Sequence, residues 1–194
     1  MAEPAHAANY TPSEYFALEE HANVKHEYLG GAIYAMAGGT PEHGERMSYA
    51  NGALVAQLRG RPCRVYSADV RIGVLATGLV TYPDTSVACG PVERDPNDRN
   101  TITNPIVLVE ILSPRTAAYD RGDKLKHYKK LPSLREVILV AHDRALIELW
   151  HRADDGTWQR SEHGAGSTLP LASIDCTLDV DDIYRDTLDQ AASA

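Results

Sequence analysis

Two carboxylates stand where the sequence is otherwise apolar. Asp84 lies in Tyr82-Pro83-Asp84, inside a run from Leu79 to Cys89 that also holds Val80, Val87 and Ala88. Glu110 follows 26 residues later, within Ile106-Val107-Leu108-Val109-Glu110-Ile111-Leu112. A charge in such a run is costly unless an ion pair, a raised pKa or a metal compensates it. A lysine, Lys124, comes 14 residues after Glu110. Two acids and a lysine suit metal-assisted phosphodiester hydrolysis. The carboxylates offer hard oxygen ligands to Mg²⁺ or Mn²⁺. The metal polarises phosphate and acidifies a bound water, and the lysine offsets developing charge. By spacing alone the triple is a weak signal, and the interruption of apolar strands by both acids strengthens it. Each residue has a plainer alternative. Asp84 could end a strand by bonding backbone amides, and Glu110 could sit in a structural ion pair. Lys124, Lys126, Lys129 and Lys130 form a basic run that could simply face water.

Periodicity and turn residues outline the elements that must position these groups. The Glu110 run, bounded by Asn104-Pro105 and Ser113-Pro114, reads as a strand buried on both faces, of the kind found in helix-covered sheets. Thr11-Pro12-Ser13-Glu14 has the form of a capping box and opens a short helix to about Glu20. His26 to Met36 reads as a hairpin turning at Gly30-Gly31. Thr40-Pro41 caps a second helix, with Met47, Ala50, Leu54 and Leu58 at helical spacing and a stop at Gly60. Arg64–Ala68, Val70–Leu75 and Leu79–Cys89 read as strands, and polar Val92–Thr103 as an exposed loop. A third helix is expected from about Ala118 to Lys130. There Lys124, Tyr128 and Leu131 share a face, so Lys124 takes an inward position. Strands at Glu136–Ala141, Ala145–Trp150 and Gly156–Glu162 follow, and Leu169–Ile174 and Asp179–Tyr184 close the fold. Trp150 and Trp158 read as packing residues. The order gives one α/β domain over 11–186, a mixed β-sheet flanked by helices, with flexible ends at 1–10 and 187–194.

Composition is that of a globular chain, with 43% hydrophobic and 24% charged residues over 194. The formal net charge of −8 opposes nucleic-acid binding, unless basic residues gather on one face or bound cations change the local sign. No apolar run approaches the roughly 20 residues of a membrane span. Met1 to Asn9 has neither a basic nor an apolar leader region, so no secretory signal is expected. The three cysteines show no metal-type spacing and fit a reducing, cytoplasmic setting.

Three stretches together resemble one family. They are Tyr82-Pro83-Asp84 with Ser86-Val87; Asn104-Pro105 with Val109-Glu110-Ile111-Leu112-Ser113-Pro114; and Tyr119-Asp120-Arg121-Gly122-Asp123-Lys124 with Tyr128 and Leu131-Pro132-Ser133-Leu134-Arg135-Glu136. They resemble the Uma2 family of restriction-endonuclease-like proteins, and the resemblance runs from about Thr11 to Tyr184. That family is similar to the PD-(D/E)xK nucleases. The resemblance implies a restriction-endonuclease-like α/β fold, a divalent metal (Mg²⁺ or Mn²⁺) and hydrolysis of DNA phosphodiesters. It maps the Pro-Asp motif to Pro83-Asp84, the second acid to Glu110 and an upstream acid to Glu27, so that Asp84, Glu110 and Glu27 form the implied metal set. The lysine two positions after the second acid would be residue 112, which is Leu112 here. The family's lysine on the following helix maps to Lys124. A family histidine maps to His43, and where relatives read Val-Asp this chain has Val140-Ala141, with Asp143 close by. His43, Arg115, Arg121 and Lys126 are the expected substrate contacts, with DNA as partner and a homodimer suited to a two-stranded substrate. Two alternatives stand beside this: an inactive binding or interaction module on the same fold, and a nuclease acting on RNA.

Overall fold

The computed structural model describes residues 9–36 and 38–185. The ends expected to be flexible, 1–10 and 187–194, lie outside the described residues apart from Asn9 and Tyr10. Helix α1 (Pro12–Glu19) opens as the expected capping box, in which the Thr11 hydroxyl accepts from the Glu14 N–H and the Glu14 carboxylate accepts from the Thr11 N–H. Strands β1 (His26–Leu29) and β2 (Ala32–Ala35) form the hairpin. Gly30 and Gly31 turn it at φ +58° and +91°, a consecutive positive-φ pair that glycine adopts without a Cβ clash. Helix α2 (Pro41–Leu58) is capped by the Thr40 side chain and buries Ala50, Leu54 and Leu58 along one face. There follow β3 (Cys63–Ser67), β4 (Arg71–Val74), β5 (Leu79–Thr81), β6 (Thr85–Cys89), β7 (Arg94–Asp95), β8 (Asp98–Ile102) and β9 (Val107–Ile111). The third helical region is α3 (Ala117–Tyr119), a π-helical turn over Asp120–Lys124, and α4 (Leu125–Tyr128). Strands β10 (Glu136–Val140), β11 (Leu146–Arg152), β12 (Trp158–Gly164), β13 (Thr168–Leu171) and β14 (Cys176–Asp179), with helix α5 (Val180–Ile183), complete the described chain.

The architecture is the expected α/β class with mixed sheets flanked by helices, and its strands divide between two six-stranded sheets. One has the order β2-β1-β5-β4-β8-β7 and the other β12-β11-β10-β9-β6-β3. Strand β9 lies inside the second sheet, parallel to β10 and antiparallel to β6, with all five residues buried. Alternation sends its side chains to two cores. Val107, Val109 and Ile111 pack with Ala50, Leu54 and Leu58 of α2 and with Leu169, Leu178 and Ile183. Leu108 meets Ile72, Val74 and Leu79 of the other sheet, together with Leu125, Tyr128 and Leu131. Each such side chain contributes about 1.5–3 kcal/mol on burial. Glu110 alternates toward the second core, beneath the π-helical turn.

Three expectations are corrected. Leu79–Cys89 is two strands in different sheets, and Tyr82-Pro83-Asp84 is the crossing between them. Both pieces are buried, so hydropathy runs on without a break, whereas Pro83 has no N–H to give a ladder. Val92–Thr103 is not an exposed loop. It forms the β7–β8 hairpin, and β8 pairs in parallel with β4. Asp98 is buried there because the Arg71 guanidinium lies 3.0 Å from its carboxylate. Third, Cys63 and Cys89 face each other in the β3–β6 register and form a disulfide, with Cα atoms 3.9 Å apart, while Cys176 is free and buried. The cysteine count therefore gives no support to a reducing compartment. Among the described residues, no helix is long and apolar enough to cross a membrane.

Candidate active site

The strand crossing at Pro83 places the first acid. The β6–β9 register pairs Thr85 with Val109, so one step further brings Asp84 level with Glu110 on the neighbouring strand. The Asp84 carboxylate accepts the Ile111 N–H at 2.7 Å and lies 3.3 Å from Nε2 of His43, in the first turn of α2. A hydrogen bond to Asp84 holds the His43 pKa above its usual value, against the opposing effect of burial. His43 is half-buried, on the open side of the group.

Glu110 and Lys124 form the centre. The Lys124 ammonium lies 2.8 Å from Oε1 of Glu110, and the Tyr128 hydroxyl donates to the same oxygen at 2.5 Å. Lys124 and Glu110 are 4 % and 5 % exposed. Burial, against the lowering effect of Lys124 and with the charges of Asp120 and Asp84, raises Glu110 to about 8. Lys124 is held protonated well above its usual range. Burial works against its charge, and Glu110, Tyr128, Asp120 and Glu27 more than offset that cost. Asp120, one helical turn before Lys124, has an oxygen 3.7 Å from the ammonium and is raised chiefly by burial. Glu27 accepts from Thr81 Oγ1 at 2.6 Å and from the Tyr119 hydroxyl. Four acids, Glu27, Asp84, Glu110 and Asp120, thus interact around one buried ammonium.

The helix that carries these groups is not regular. The five-residue π-helical turn begins at Asp120 and ends at Lys124, and it buries both. Such turns are uncommon and gather at functional sites. Here the turn lets Tyr119, Asp120, Lys124 and Tyr128 all reach toward β1 and β9.

A sequence profile of the Uma2 family, described as "Putative restriction endonuclease", matches residues 12–181. The chain belongs to the Uma2 family. It is also 39% identical to the Synechocystis sp. protein slr1290, described as uncharacterized, over 175 residues, 90% of this chain and 91% of that one. It is 26% identical to another uncharacterized Synechocystis protein, sll1609, over 152 residues, 78% of this chain and 86% of that one. A crystal structure from Anabaena variabilis, described as "a putative nuclease belonging to DUF820", superposes with a TM-score of 0.74 at 18% identity, covering 91% of this chain and 98% of that chain. At that identity the likeness establishes a shared fold.

In this Uma2 chain, Asp84, Glu110, Lys124, Glu27 and His43 come together, whereas the basic candidates are spread out. Arg121 is engaged with Glu148 at 2.5 Å. Lys126 is 77% exposed and pairs with Asp123, and Arg115 is exposed before α3. Lys129 leaves the expected basic face to pack 3.4 Å from the Trp150 ring and 5.6 Å from that of Trp158. Leu112, at the position of the usual lysine, is buried in the second core. Sequence reasoning passed over Asp120, Tyr119, Tyr128 and Thr81 as site residues. Asp120 and Tyr128 were findable, since each stands four residues from Lys124 on its own face. Tyr119 and Thr81 were not, because only the π-helical turn and the β1–β5 pairing bring them to Glu27.

The donor set fits a hard divalent cation. Four carboxylates surround one ammonium, so with all of them ionised the cluster would carry more negative charge than Lys124 offsets; burial and their mutual repulsion raise Glu110 and Asp120 and so favour their protonated forms. Among the described residues, no three His, Cys, Asp or Glu side chains converge on one point. Mg²⁺ does not require that, because it is commonly held by one or two carboxylates with waters and substrate phosphate completing its shell.

Proposed function

We propose that the protein is a divalent-metal-dependent endonuclease that hydrolyses DNA phosphodiester bonds. The observation that carries this reading is Asp84, just before β6, level with Glu110 on the adjacent strand β9, with Lys124 against Glu110. Asp84 and Glu110 would hold Mg²⁺ or Mn²⁺, with Glu27 assisting, and the bound metal would polarise the phosphate and acidify an attacking water. The protein's own groups prepare that site. Tyr128 and Lys124 fix the Glu110 carboxylate, and the Ile111 N–H and His43 fix that of Asp84. Lys124, beside Glu110, would offset charge developing on the phosphate. Arg115 and Lys126, both exposed, supply phosphate contacts that set register without reading sequence.

The test is cleavage of supercoiled plasmid and of a matched RNA, in Mg²⁺ and in Mn²⁺, by the wild type, Asp84→Asn and Glu110→Gln. Plasmid nicking by the wild type, reduced at least a hundredfold in both variants, is the expected result. Equal cleavage by all three would refute the site, and cleavage of RNA alone would reassign the substrate. A second reading, an interaction module without chemistry, is favoured by the closed Lys124–Glu110 pair and by the net charge of −8. It predicts no cleavage of either polymer.

A further inference from the structure

Strand β12 ends one of the six-stranded sheets. It pairs with β11 on one side, and no described strand pairs with the other. The hairpin register fixes which of its backbone groups are free. The Ala153 N–H bonds the Thr157 carbonyl, and hydrogen-bonded and non-hydrogen-bonded pairs alternate along an antiparallel ladder. Counting on from that pair, Gln159, Ser161 and His163 turn their backbone groups toward β11. Trp158, Arg160 and Glu162 turn theirs outward. An open edge seven residues long is a template for another strand.

The side chains select the partner. Arg160 and Glu162 flank Ser161 on one face of the strand and carry opposite charges. Let two copies pair antiparallel about a twofold axis at Ser161. Arg160 of each copy then faces Glu162 of the other, and the interface is self-complementary. The same register makes these two residues the hydrogen-bonded pair, since both present their backbone groups outward. Backbone parity permits this register, and charge selects it from those that parity permits. Within a single copy Glu162 stands opposite Glu148 of β11, a like-charge pair bridged by Arg160. The Glu162 side chain is still 51% exposed, and a second guanidinium would relieve it.

We propose that the protein forms a twofold dimer in which β12 pairs antiparallel with β12 of a second copy, centred on Ser161. The test is sedimentation velocity on the full chain, whose monomer mass is 21.2 kDa. The wild type should sediment at twice that mass. Glu162→Arg should sediment as a monomer, because arginines then face arginines. Arg160→Glu should do the same, and an equimolar mixture of the two variants should recover the dimer, because each glutamate again faces an arginine. Arg160→Glu also loses its bond to Glu148, so circular dichroism checks its fold. If it fails to fold, Glu162→Pro replaces it. That change removes one outward N–H without touching the β11 ladder, and it too should give a monomer. In the wild-type dimer the Arg160 and Glu162 amides should exchange slowly and become fast on dilution. A wild type that stays monomeric at every concentration overturns the proposal. So do a dimer that survives Glu162→Arg, folded variants that fail to associate on mixing, and protected edge amides in a monomer.

Discussion

Removing the Glu110 charge has different consequences according to what replaces it. Above about pH 8, where Glu110 is ionised, Glu110→Ala leaves the buried Lys124 ammonium without its nearest counter-charge, 2.8 Å away, and breaking a buried pair in this way costs about 3–5 kcal/mol. Glu110→Gln removes the same charge but keeps an acceptor for the Tyr128 hydroxyl, so it should cost about 1–2 kcal/mol less. Urea unfolding of both variants measures the difference, and equal losses would mean that the Tyr128 hydrogen bond adds nothing to stability. The same carboxyl sets a pH dependence. Its folded pKa of about 8 lies above the ordinary 4.5, so the native state holds more protons than the unfolded state between those values. Without metal, stability should therefore fall as pH rises from about 4.5 to 8, by a few kcal/mol. Asp120, also raised, adds to the same trend. Glu110→Gln should flatten most of the slope, and an unchanged slope would place the titration elsewhere. The inward direction of Lys124 could be read from its spacing to Tyr128 and Leu131. The same spacing pointed backward to Asp120, but an acid beside a lysine looks like a surface pair until both prove buried.

At the scale of elements, the π-helical turn is the device that gathers the site. Deleting Gly122 should let Asp120–Lys124 relax toward an α-helical turn. That shortens the spacing of Tyr119 and Asp120 to Lys124 by one residue and shifts both against Glu27 and Glu110. Helix content by far-ultraviolet circular dichroism should persist while metal-dependent cleavage falls at least tenfold. Full activity in the deletion would make the turn incidental. The elements that sequence predicted well are those with local chemistry at their ends: the Thr11 capping box, the Gly30-Gly31 hairpin, and α2 between Thr40 and Gly60. Those it missed depend on distant partners. Leu79–Cys89 looks continuous because β5 and β6 are both buried, although in different sheets. Polar Asp98 reads as a loop residue until Arg71, from a strand far back in sequence, compensates it. A π-helical turn differs from an α-helical one by a single residue and leaves no trace in hydropathy.

Across the whole molecule, the disulfide ties edge strand β3 to β6, the strand that begins beside Asp84. Its sequence separation of 26 corresponds to about 3.5 kcal/mol from restricting the unfolded chain. A reductant, or Cys63→Ser with Cys89→Ser, should lower the unfolding midpoint without shifting the pH slope set by Glu110. No change in midpoint would mean that the β3–β6 ladder holds that edge alone. A net charge of −8 opposes nucleic-acid binding, so in the proposed reaction a bound cation would supply much of the attraction at the site. That places the weight of the account on metal binding by Asp84 and Glu110. The decisive measurement is calorimetric titration of Mn²⁺ into the wild type and into Glu110→Gln, at pH 8, where Glu110 more readily gives up its proton. The expected result is saturable binding with proton release in the wild type, and its loss in a variant that remains folded. Equal binding in both, or none in either, would contradict it and leave Glu110 and Lys124 as a structural ion pair.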